Sequence, residues 1–144
     1  MSDVSTNLYK SQLLDYYYQR RAESSINKGS RFLISKAVFG TSSLVTKKGD
    51  GTYEIGELPK AFDLAELTSQ FCTINLVPTY SGGIITVRMD LDQSQLQEGK
   101  NYPLNTLVVL DNENKPIAII CVQEDSLYVG KTYTAVMAIN TTTA

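Results

Sequence analysis

Asn105–Val122, NTLVVLDNENKPIAIICV, sets two apolar runs on either side of a polar turn. Thr106–Leu110 and Ile117–Val122 are rich in the β-branched residues that fit a pleated surface. Asp111-Asn112-Glu113-Asn114-Lys115-Pro116 between them supplies Asp, Asn and Pro, residues that favour turns. The combination predicts an antiparallel hairpin. A strand with one wetted face alternates apolar and polar side chains, but LVVL and IAIICV do not alternate. Both runs are therefore expected at the centre of the core, covered on both faces.

Upstream, Phe71–Val77 and Ile84–Leu91 flank Pro78-Thr79-Tyr80-Ser81-Gly82-Gly83 and read as a second antiparallel hairpin. Ile85, Val87, Met89 and Leu91 alternate with Thr86, Arg88 and Asp90, the pattern of a half-buried strand. Thr132–Ile139 repeats it, with Tyr133, Ala135 and Met137 set against Thr132, Thr134 and Val136. Phe32–Phe39 reads as the first strand, running into Gly40-Thr41-Ser42-Ser43. Lys47–Ile55 carries Gly49-Asp50-Gly51, suited to a tight hairpin or a mobile loop. Leu58–Thr68 is ambiguous, since Phe62, Ala65 and Leu67 can pack as helix or strand. At the N-terminus Ser5 or Thr6 can cap a helix over Leu8–Ala22, a run without Gly or Pro.

The expected fold class is mainly β (α+β). An N-terminal helical segment over residues 1–28 precedes a β-rich unit over 29–144. Six to seven antiparallel strands form a sandwich or partly closed barrel, one compact domain overall. No internal repeat, heptad or low-complexity tract interrupts it.

The chain has no histidine, which removes Ser-His and Cys-His catalysis and His-ligated metals together. Two cysteines are too few for a thiolate-only zinc site. Cys72 and Cys121 lie in apolar runs and read as buried reduced thiols, with a disulfide between neighbouring strands left open. Gly49, Gly51 and Gly56 lack the spacing of a phosphate loop. Asp90 and Asp92, Asp111 and Glu113, and Glu124-Asp125 read as edge and turn residues; DNEN lacks the central glycine and final glutamate of a calcium loop. Neither a cofactor nor a metal is expected. A net charge of −2 argues against nucleic-acid binding, leaving Arg20-Arg21 and Lys47-Lys48 as small basic clusters on a solvated surface. No apolar run reaches the roughly 20 residues of a membrane span, and Met1–Thr6 does not open a signal peptide. A soluble protein made in a cytoplasm is expected.

Tyr16-Tyr17-Tyr18 cannot all enter one core from a helix, because neighbours stand about 100° apart. At least one ring is left for solvent or a partner. Tyr and Arg are enriched at protein interfaces, so Tyr16, Tyr17, Tyr18, Arg20 and Arg21 are the candidate partner-binding residues. The plainer alternative keeps two rings packed at home and one merely exposed.

The order of four segments resembles the tail-collar, or N-terminal attachment, domain of bacteriophage tail-fibre proteins. They are GSRFLISKAVFGTS (29–42), ELPKAFDLAEL (57–67), FCTINLVPTYSGGIITVRMDLD (71–92) and NTLVVLDNENKPIAIICV (105–122). The match is one of order and pattern. Val108 stands where that family carries a glycine, Asn114-Lys115 replaces its Asp-Gly turn, and Cys121 or Val122 replaces a later glycine. The resemblance implies a non-catalytic virion structural protein that docks on tail baseplate or fibre proteins, with a homotrimer favoured. It implies either a free-standing connector or the anchor of a longer fibre. A carbohydrate-binding β-sandwich using Tyr80 and Tyr102 is an alternative, weakened by the absence of tryptophan; a fibre assembly chaperone absent from the finished particle is another.

Overall fold

Ten strands and one α-helix make up residues 9–141, which the computed structural model describes. In chain order they are β1 (Tyr9–Leu13), α1 (Asp15–Ser25), β2 (Ile34–Thr41), β3 (Val45–Lys47), β4 (Tyr53–Ile55), β5 (Thr68–Asn75), β6 (Thr79–Ser81), β7 (Ile84–Asp90), β8 (Tyr102–Asp111), β9 (Pro116–Leu127) and β10 (Thr134–Asn140). Every pairing between them is antiparallel. The large sheet runs β1-β9-β8-β2-β5, a second runs β10-β7-β6, and β3-β4 pair by themselves. None of the three closes into a barrel. The strands beyond the expected six or seven are short pieces such as β1, β3, β4 and β6.

The 105–122 hairpin is the centre of the large sheet. Leu107 faces Ile120, Val108 faces Ile119 and Val109 faces Ala118 across β8 and β9. On one side Leu107, Val109, Ala118 and Ile120 pack on Val87, Met89, Ala135, Met137 and Ile139 of the three-stranded sheet. On the other, Val108, Leu110 and Ile119 are covered by Leu14, Phe62 and Leu67, and Cys121 by Val45 and Ile55 of the β3-β4 hairpin. Both faces are dry, which is why neither run alternates. Each fully buried aliphatic side chain here contributes about 1.5–3 kcal/mol. On β7 and β10 one face is buried and one exposed, as the alternation requires.

The structure corrects two expectations. The pair Phe71–Val77 and Ile84–Leu91 is not a hairpin. β5 joins β2 in the large sheet, whereas β7 joins β10 and β6 in the small one. The chain crosses between layers here, and the turn residues form a smaller hairpin, β6-β7, closed by Gly82 and Gly83 at φ +58° and +86°. Two positive φ values in a two-residue turn favour glycine.

The second correction is the helix, which starts at Asp15 and ends at Ser25. Tyr9–Leu13 is a strand, pairing with Val122–Ala118. The open side of β9 supplies backbone partners that a free helix end lacks. Leu14 is extended and makes no side-chain cap; Asp15 in the first turn complements the helix dipole. The proposed caps Ser5 and Thr6 lie outside the described residues.

The ambiguous stretch resolves into a single 3-10 turn, Leu64–Glu66. Asp63 Oδ1 accepts from the Ala65 amide at 3.0 Å and Glu66 Oε2 accepts from the Asp63 amide at 2.9 Å, a reciprocal cap that presents Phe62 and Leu67 to the sheet. Cys72 and Cys121 are free and buried, and burial pushes both thiols up from their ordinary value.

A second 3-10 turn, Gln93–Gln95, follows β7 and is capped by Asp92. The Ser94 hydroxyl holds the Asp92 carboxyl below its ordinary value, aided by the Gln95 amide and the Ser94 backbone N–H. A depressed carboxyl contributes stability that is complete above the unfolded aspartate value of about 3.9 and is lost as pH falls through the lower folded value. Asp92→Asn is therefore expected to be less stable than the parent at neutral pH and to lose less on acidification. Melting curves from about pH 6 down to about pH 2 check the slope.

Candidate docking surface around the first helix

Helix α1 packs against β9 of the large sheet, and its five candidate residues divide by direction. Tyr17 is 2% exposed and part of the main core, its ring edge-on to Phe32 at 5.6 Å. Arg20 is also buried, against the expectation of an exposed docking side chain. Its Nη1 donates to Glu23 Oε1 at 2.9 Å and to the Lys28 carbonyl at 3.4 Å, while Nη2 donates to the Ser30 carbonyl. Arg20 thus ties down the turn that leaves the helix and is a structural residue. Removing two of five from the outward set leaves Tyr16, Tyr18 and Arg21.

Tyr16 is half-buried beside the β8-β9 turn, with Lys115 Nζ 5.5 Å from its ring centre. Burial, then the nearby Asp111 and Glu113 carboxylates, push its phenol above the ordinary value. Asp111 is itself wholly buried: Oδ1 accepts from the Glu113 and Lys115 amides, each at 2.9 Å, which fixes the turn. Tyr18 is 48% exposed and stands edge-on to Tyr17 at 5.3 Å. The exposed Arg21 guanidinium lies 5.5 Å from both of those rings. Such cation–π contacts keep a guanidinium oriented without neutralising it.

Beside Tyr17 and Arg21 runs a groove of about 520 Å³. Its far walls are Arg31, Phe32, Leu33 and Ile34, which lead into β2, and Pro78, Thr79, Tyr80 and Ile85 of the β6-β7 hairpin. Leu33 and Tyr80 are exposed large apolar side chains. The aromatic excess of the helix pointed to this end of the molecule, but nothing local in the sequence joins residues 31–34 to 78–80. The layer crossing between β5 and β7 brings them together.

Of the two tyrosines considered for sugar stacking, Tyr80 is exposed, but Tyr102 is used internally. Its ring lies 5.2 Å from that of Phe71, and its hydroxyl accepts from the Gln97 amide at 2.9 Å. Among the described residues no cluster of three or more His, Cys, Asp or Glu is arranged to hold a metal ion, and no helix is long and apolar enough to cross a membrane.

No solved structure matches the chain. The family model of bacteriophage P1 tail fiber protein R matches residues 1–144. Tail fiber protein R of Escherichia phage P1 is 99% identical over 144 residues, the full length of both chains. Both matches are to tail fibre proteins, the class to which the order of segments in residues 29–122 pointed. On these two matches, the chain belongs to the bacteriophage P1 tail fiber protein R family.

Proposed function

We propose that the protein is a non-catalytic structural component of a phage tail that attaches a fibre to the baseplate, or serves itself as the connector, through protein–protein contacts. The observation that carries this reading is the outward face of α1. There Tyr18 and Arg21 stand exposed, Arg21 lining an apolar groove, while Tyr17 and Arg20 hold the helix in place. Interface cores are enriched in such aromatic and arginine side chains. Tyr16, Tyr18 and Arg21 form the docking set, with Tyr17 and Arg20 supporting it from beneath. The partners are tail baseplate or fibre proteins, and a homotrimer is the expected assembly.

Tyr18→Ala combined with Arg21→Ala is expected to leave the melting temperature nearly unchanged, because neither side chain is buried. The same pair is expected to lower incorporation into tails roughly tenfold or more, as loss of interface anchors does. Quantitative blotting of purified tails measures it. Immunogold label at the baseplate or fibre base supports attachment. Protein in the lysate but absent from finished particles points instead to an assembly chaperone.

A further inference from the structure

We infer that the groove between α1, residues 31–34 and β6 receives an extended, carboxylate-bearing segment of a different tail protein, which adds a strand to the free edge of β6. The inference rests on the attachment function proposed above and gives it a site and a partner chemistry.

The edge comes first. β6 is the last strand of its sheet, paired on one side only among the described residues. Ser81 and Ile84 close the two-residue turn, and Tyr80 faces Ile85 one step further along. Residues in an antiparallel ladder alternate between bonding their partner and pointing away from it. With the turn-closing pair bonded, Tyr80 carries its amide and carbonyl on the open side. Native edges are commonly blunted by charge, yet Thr79-Tyr80-Ser81 carries none. Peptide recognition by strand addition uses such an edge for affinity and adjacent pockets for alternate side chains. Here the adjacent pocket is the groove, floored by Tyr17, Phe32 and Ile85.

Charge then selects the occupant. Arg21 and Arg31 both line the groove, and no Asp or Glu does. Neither guanidinium forms an ion pair with a described residue. This is a local reversal in a chain whose 15 acidic residues outnumber its 13 basic ones. Carboxylates flanking an apolar residue answer both features, since arginine pairs them in a bidentate fork. A second copy of this chain does not suit the edge: pairing β6 with β6 about a two-fold axis brings the same two arginines of each copy together.

The test uses the full chain in phage. Tyr80→p-benzoylphenylalanine, illuminated in purified tails, is expected to cross-link to one segment of another tail protein. Mass spectrometry of the cross-linked peptide should find carboxylates on both sides of an apolar residue. Arg21→Glu with Arg31→Glu is expected to reduce that cross-link roughly tenfold or more, while the matching lysine pair retains most of it. A cross-link to another copy of this chain, or to a segment without carboxylates, overturns the inference. So does a chain that is present in tails but gives no cross-link from position 80, an outcome that leaves attachment itself standing. Absence of the chain from tails removes both.

Discussion

Phe39→Ala is expected to lower the unfolding free energy by about 3–5 kcal/mol. Phe39 sits on β2 with no exposed surface, inside the main core between the two larger sheets. Its ring meets Phe71 at 6.2 Å and Tyr133 at 6.4 Å, both edge-on. Phe71 belongs to β5 of the large sheet and Tyr133 directly precedes β10 of the small one, so the ring bridges the layers. Truncation removes the transfer energy of the ring, leaves a cavity that packed strands cannot close, and strips two aromatic contacts worth about 0.5–1.5 kcal/mol each. A domain of this size has roughly 5–15 kcal/mol in total, so the variant should sit near its limit at growth temperature. Urea unfolding reads the effect as a lower midpoint at an unchanged slope. Phe39→Leu, which keeps most of the volume, is expected to cost well under half as much. A loss below about 1 kcal/mol for the alanine variant would mean that the layers do not pack through this ring.

What the sequence could reveal follows from which interactions are local. The β8-β9 hairpin was legible because its turn lies between its own strands, and continuous apolar runs require cover on both faces. β7 and β10 were legible in face, since alternation reports burial. Their partners were not, because periodicity says which side of a strand is dry and nothing about which strand lies beside it. Phe71–Val77 and Ile84–Leu91 therefore read as one hairpin, whereas each pairs with a distant strand. The strand at Tyr9–Leu13 was hidden for a related reason: its conformation is conferred by the open side of β9, more than a hundred residues away. At the candidate surface, helical geometry required that a ring be left outside, and Tyr18 is exposed. Burial of Arg20 was not legible, since its acceptors include the carbonyls of Lys28 and Ser30, set by a turn and not by residue type. Arg31, Leu33 and Tyr80 join the groove only through the layer crossing.

Gly40→Ala is expected to destabilise the protein by about 1–3 kcal/mol, and Gly40→Val by the upper end of that range or more. The residue is buried in β2, where the register against β5 slips: Phe39 faces Cys72 but Thr41 faces Thr68. Ser69, Gln70 and Phe71 therefore bulge opposite one residue, with Ser69 held at φ +50°. A Cβ at Gly40 would stand 2.7 Å from the Thr68 carbonyl oxygen and 3.3 Å from the Gln70 Cα. Both are backbone atoms, which cannot swing aside as the end of a side chain can. The carbonyl is also pinned. Thr41 Oγ1 donates to it at 3.2 Å and Thr68 Oγ1 donates back to the Thr41 carbonyl at 3.0 Å. Relief would require the bulge to move and break that pair. Gly49 is the control, because a Cβ there meets nothing within 4 Å and its φ lies outside the left-handed region. Gly49→Ala should be neutral or gain up to about 1 kcal/mol by narrowing the unfolded ensemble. The same added methyl thus acts with opposite sign at two sites, and thermal melts of the two variants side by side decide the matter. Equal melting would place β2 and β5 further apart than a glycine contact, and would remove the bulge as the reason this strand carries a glycine at position 40.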